Sequence, residues 1–112
     1  MELHFKKIGE GAPLIILHGL FGTLDNWSSV SKTLAEKYTV YLVDQRNHGR
    51  SPQSNEFSYQ LMASDLKEFI EQHHIVNPTI MGHSMGGKTA MKFACQNPTM
   101  LKDLICRNNN IF

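Results

Sequence analysis

Several ordinary structural signals are missing from this chain. Two cysteines, Cys95 and Cys106, in 112 residues are too few for a disulfide scaffold. No apolar run exceeds that of Leu14 to Leu17, far short of the roughly 18 residues that span a bilayer. Lys6 and Lys7 are followed by Gly9-Glu10-Gly11 rather than by an apolar stretch, so no secretory leader is expected. Charge of one sign is lacking too. Lys and Arg number 11 against 10 Asp and Glu, for a net charge of +1, which leaves no electrostatic footprint for nucleic acid. No His-Glu-x-x-His or Cys-x-x-Cys spacing occurs, so neither a metal nor a cofactor is expected. What remains is a soluble, cytoplasmic unit, 41% apolar and 19% charged, long enough to bury one modest core.

Apolar periodicity alternates strand with helix. Leu3 to Ile8 alternates loosely and stops at a glycine turn. Pro13 to His18, Val40 to Val43 and Thr79 to Met81 are short apolar runs between turn signals, as expected of strands buried on both faces. Trp27, Val30, Leu34 and Tyr38 keep helical spacing, with Asp25 or Asn26 as the expected cap. Ser58 is placed to cap a helix whose apolar face is Tyr59, Met62, Leu66, Phe69, Ile70 and His73. Lys88 to Gln96 reads as helix and Pro98 stops it. Leu101 to Cys106 opens a fourth buried strand. This alternation is the signature of parallel βαβ units, whose functional loops gather at the carboxyl ends of the strands.

Three motifs fall at such ends. Gly82-His83-Ser84-Met85-Gly86 matches Gly-x-Ser-x-Gly between a strand and a helix. Ser84 there must take a strained, positive-φ turn, and Gly82 and Gly86 remove side chains that would collide. The hydroxyl then stands above a helix N-terminus, where the Met85 N–H can donate to an oxyanion. The same stretch through Lys88 and Thr89 also matches a phosphate-binding loop, Gly-x-x-x-x-Gly-Lys-Thr. Against that reading, the loop follows the third buried strand rather than opening the domain, and His18-Gly19-Leu20-Phe21-Gly22 stays unexplained. A second glycine-rich turn supplies what serine acyl chemistry needs, a further backbone donor, from Leu20 N–H. The third motif, Asp44 to Ser51, reads as structural, with Asp44 pairing Arg46 and Gly49 turning the chain.

Together, and in this order, the three segments resemble the α/β-hydrolase superfamily. His18-Gly-Leu-Phe-Gly-Thr-Leu-Asp-Asn-Trp27, Asp44-Gln-Arg-Asn-His-Gly49 and Gly82-His-Ser-Met-Gly-Gly-Lys88 are similar to small bacterial esterases of the YbfF type. The resemblance runs from about Met1 to Ile105 and implies a serine hydrolase acting on acyl esters or thioesters. It implies Ser84 as nucleophile and the Leu20 and Met85 N–H groups as oxyanion hole. His18, Gly19, Gly82, His83 and Gly86 support the two turns.

The family fold takes roughly 200 to 250 residues in one domain. The expected organisation is therefore the N-terminal portion of an α/β-hydrolase fold over residues 1–105, truncated, mostly parallel sheet with flanking helices. An out-of-pattern polar tail over 106–112 follows. In this fold the order is serine, acid, histidine, which puts the last two beyond Phe112. His83 is expected to point away from the turn and His18 to brace the oxyanion loop. His4, His48, His73 and His74 are not placed as bases. Cys95 reads as a small buried residue. The expected partner is a small acyl ester, and then only for the completed fold. The alternatives are an inactive remnant or a phosphate-loop nucleotide binder through Gly82 to Thr89.

Overall fold

A computed structural model gives the architecture, and residues 1–107 are described. In chain order come β1 (Phe5–Ile8), β2 (Ala12–Leu17), a 3-10 turn (Leu24–Trp27), α1 (Ser28–Leu34) and β3 (Tyr38–Val43). Then follow α2 (Tyr59–Gln72), β4 (Thr79–His83), α3 (Met85–Gln96) and β5 (Asp103–Arg107). The sheet order is β1-β3-β2-β4-β5. β2 pairs in parallel with β3 and β4, and β4 with β5. β1 runs antiparallel against β3, with Phe5 opposite Val43 and Ile8 opposite Val40. The architecture is α/β, as expected, with a mixed, mostly parallel sheet.

The apolar runs are continuous because both faces of the central strands are covered. Successive residues of a strand point to opposite faces. Ile15, Leu17, Tyr41, Val43 and Ile80 meet Leu66, Phe69, Ala90 and Phe93 from α2 and α3. Leu14, Ile16, Val40 and Leu42 meet Leu24, Trp27 and Leu34 on the other face. Each such side chain contributes about 1.5–3 kcal/mol when fully buried, so the face under α2 and α3, with the longer roll of buried residues, holds the larger share.

Local structure departs from the sequence expectation at three places. Thr23, not Asp25 or Asn26, caps the 3-10 turn that leads into α1: Thr23 Oγ1 accepts the Asp25 N–H, and Asn26 Oδ1 accepts the Thr23 N–H. That reciprocal box satisfies donors a single cap would leave open. Tyr38 opens β3 instead of extending the helix, which ends at Leu34. α3 begins at Met85, directly after the turn, and its glycines lie against the sheet. A Cβ on Gly86 would collide with the Leu17 carbonyl, and one on Gly82 with the Gly86 carbonyl. Finally, β5 is not buried. All five residues are exposed, Leu104 and Ile105 among them, because it is an edge strand paired only with β4 among the described residues. Cys106 and Arg107 pair with Gly82 and His83, so the strand runs two residues into the expected tail. The rest of that tail, 108–112, lies outside the described residues. Ser58 caps α2 as expected, its Oγ accepting the Leu61 N–H at 3.1 Å. Among the described residues no helix is long and apolar enough to cross a membrane.

Candidate active site

Ser84 stands at the carboxyl end of β4 and caps α3 with φ 52° and ψ −110°. A non-glycine residue in such a region costs about 1–3 kcal/mol, so its surroundings must hold it there. The Ser84 N–H donates to the Arg107 carbonyl at 2.9 Å, and the Ser84 carbonyl accepts the Lys88 N–H at 3.1 Å. The bare edges of Gly82 and Gly86 let helix and sheet close up on either side. The serine hydroxyl makes no capping bond to the helix, whereas the Met85 N–H, first in α3, lacks an intrahelical acceptor.

The His18–Gly22 segment forms the facing turn. Gly22 N–H donates to the Gly19 carbonyl at 3.0 Å. Phe21 has φ 61° and donates its N–H to His48 Nε2 at 3.1 Å. The intervening Leu20 N–H has no acceptor among the described residues. Gly19 runs directly against the serine: a Cβ on it would lie 3.5 Å from Ser84 Cβ and 3.2 Å from His83 Cδ2. Gly19, Leu20, Trp27, His83, Ser84 and Arg107 line one open cavity of about 760 Å³. Polar backbone and a hydroxyl thus meet in a mostly uncharged cleft, where dipoles aimed at a developing charge act strongly.

His18 is tied to backbone at both ring nitrogens. It is 1% exposed, its Nε2 accepts the Gln45 N–H at 3.0 Å, and its Nδ1 lies 2.8 Å from the Gly19 carbonyl. An acceptor role for Nε2 places the proton on Nδ1. Burial lowers the His18 pKa below its ordinary 6.5, chiefly by desolvating the imidazolium, while the Gly19 bond pulls the other way. The amide of Gln45 also donates to the His18 carbonyl.

Asp44 does not pair with Arg46. Its buried carboxylate accepts the Leu24 and Arg50 N–H groups at 2.7 and 3.1 Å, and a Cβ on Gly49 would collide with it. Arg46 instead forms a buried fork with Asp65 of α2, at 2.7 and 2.9 Å, and also donates to the Glu56 carbonyl. The preference follows from geometry, since the backbone donors around Asp44 already occupy its oxygens. Those Asp65 hydrogen bonds raise the Arg46 pKa further.

The other titratable residues divide clearly. His48 holds the Phe21 turn, a role the sequence reading missed, because the two residues lie 27 positions apart. His83 lines the cavity and meets Trp27 edge-on at 6.1 Å, so it does not turn away from the site as expected. The strand's last residue follows the bend at Ser84 into the cleft. His73 meets Phe5 edge-on and Phe69 at a tilt, each with ring centroids 4.5 Å apart. Cys95 is exposed rather than buried. Arg107, read as tail, supplies both the carbonyl that holds Ser84 and part of the cavity wall. Among the described residues no cluster of His, Cys, Asp and Glu is arranged for a metal. A phosphate loop would need the Thr89 hydroxyl at its mouth. Thr89 is buried, with its hydroxyl donating to the Met85 carbonyl, and Lys88 lies over the Tyr59 ring.

The family model of the alpha/beta hydrolase fold matches residues 12–111. The chain belongs to the α/β-hydrolase family. This α/β hydrolase is 46% identical over 102 residues to a Saccharomyces cerevisiae protein named "Probable alcohol acetyltransferase", covering 87% of this chain and 30% of that one. It is 41% identical over 80 residues to esterase YbfF of Escherichia coli, covering 71% and 32% respectively. A solved structure of a marine microorganism esterase superposes with a TM-score of 0.92 and 55% identity, over 94% of this chain and 41% of that one. The chain therefore spans about a third of the length of these two curated relatives.

Proposed function

We propose that Ser84 is the nucleophile of a hydrolase acting on carboxylic esters or thioesters. Its hydroxyl attacks the acyl carbon, the bond to the leaving group breaks, and water then releases the acid from the acyl-enzyme. The Leu20 and Met85 N–H groups take the negative charge of each tetrahedral intermediate. The observation that carries this reading is the serine at φ 52° at the head of α3 with the Gly19 backbone laid against it. The esterase names of two relatives support the reaction class.

A nucleophilic serine needs a base within about 3 Å, directly or through one water. His18 and His48 spend both ring nitrogens on the backbone and are braces. The base and its acid are proposed to follow the described residues in sequence, the order this fold uses. An alcohol in place of water would resolve the same acyl-enzyme by transfer, the activity named for the yeast relative.

The test joins these 112 residues to the C-terminal part of the marine esterase and follows p-nitrophenyl butyrate with and without ethanol. Turnover of the extended chain should fall by about 10⁴- to 10⁶-fold in Ser84→Ala. The 112 residues alone should be no faster than their own Ser84→Ala variant. Serine-independent turnover in the extended chain would refute the proposal. Serine-dependent turnover in the short chain would place a base among its own histidines.

A further inference from the structure

We infer that His48 is a positioning residue that holds the oxyanion turn in its working shape. The inference rests on the reading of Leu20 N–H as an oxyanion donor. Side-chain packing does little to fix the outer part of that turn. Gly19 lends it flexibility, and the Phe21 side chain is 90% exposed, so it has almost no packing to anchor it. Phe21 nevertheless holds φ 61°, a conformation that non-glycine residues avoid.

Hydrogen bonds hold it at two points. One is the Gly19 carbonyl, met by the Gly22 N–H and by His18 Nδ1. The other crosses from the loop after β3, Phe21 N–H to His48 Nε2 at 3.1 Å. Pinning the Leu20–Phe21 peptide plane restrains its neighbour, the Gly19–Leu20 plane, because the two share the Leu20 Cα. That neighbouring plane carries the Leu20 N–H.

His48 is built for this task. It is buried, its Nδ1 lies 2.9 Å from the Arg46 carbonyl, and its ring centroid lies 5.0 Å from that of His18. A backbone N–H at Nε2 requires a lone pair there, so the proton sits on Nδ1 and the Arg46 carbonyl receives it. Arg46 in turn is locked by Asp65. A continuous path thus leads from α2 through Arg46 and His48 to the turn. Support of this kind keeps a catalytic group in its productive geometry.

The test uses the extended chain described above. His48→Phe keeps the ring and removes the acceptor, whereas His48→Gln offers an amide oxygen in its place. In His48→Phe, kcat for p-nitrophenyl butyrate should fall about 10- to 100-fold, less than the 10²–10³ expected from deleting an oxyanion donor outright. KM should stay nearly constant, and His48→Gln should recover most of the loss. Unchanged kcat in His48→Phe would overturn the inference. So would a loss of about 10⁴-fold or more that Gln does not rescue, which would make His48 a base. Nitrogen-15 NMR of the unsubstituted protein reads the bond without any variant. A proton on Nδ1 with Nε2 accepting is expected, and a proton on Nε2 would overturn the inference. Turnover that survives Ser84→Ala would instead refute the nucleophile, while the NMR result would still report on the His48 bond.

Discussion

At His18 both faces of one imidazole are committed to backbone, to Gln45 on one side and Gly19 on the other. That arrangement works only for the neutral ring, and burial enforces it by lowering the pKa. The sign of the consequence is fixed. The unfolded chain takes up a proton near pH 6.5, whereas the folded ring resists it until lower pH. Between those values the unfolded state binds more protons, so stability falls as pH drops through about 6.5 and levels off below the folded pKa. Urea midpoints of the extended chain at about pH 7.5 and about pH 5.5 should separate more than those of His18→Gln. Equal separation in the two would contradict this linkage. The positive φ at Ser84 and the close approaches at Gly82 and Gly86 were legible in the sequence because they follow from local sterics and spacing. The partners of Arg46 and His48 were not, since they lie 19 and 27 positions away and no local pattern ranks one carboxylate or amide above another.

Elements are tied to one another chiefly where a loop residue is buried. The Arg46–Asp65 fork fastens the loop after β3 to α2, and both side chains are nearly inaccessible. Removing one partner strands the other charge in a poor environment. Asp65→Ala should therefore lower stability by about 3–5 kcal/mol. Combining it with Arg46→Ala should cost clearly less than the sum of the single losses. Urea unfolding measures both, and a loss below about 1 kcal/mol in Asp65→Ala would show the pair to be solvated. The same scale explains which elements could be read in advance. β2, β3, β4 and α2 announce themselves by unbroken or helical apolar spacing, and Ser58 by its place before the apolar face. The start of the first helical segment was misread because Thr23, Asp25 and Asn26 are all good caps, and only the reciprocal Thr23–Asn26 bonds decide among them. β5 has the composition of a buried strand, yet burial depends on neighbours that composition does not specify.

For the whole molecule, the sheet brings two glycine-rich turns from the ends of β2 and β4 to one cleft, and these strands are adjacent in the order β1-β3-β2-β4-β5. Adjacency of that kind is what parallel βαβ winding provides, and it sets those two turns on one cleft. The edge strand β5 adds the carbonyl that holds Ser84. Leu104 and Ile105 are exposed on it, and among the described residues its outer backbone edge pairs with no strand, the kind of edge another strand can join. The family relation and the 0.92 superposition give the scaffold, while the proposed chemistry rests on one hydroxyl. The most direct test is to treat the extended chain with a fluorophosphonate, digest it and locate the adduct by mass spectrometry. The expected result is a single modified residue, Ser84, with labelling abolished in Ser84→Ala; an adduct on another residue, or none in a protein that turns over ester, would contradict the assignment of Ser84 as nucleophile.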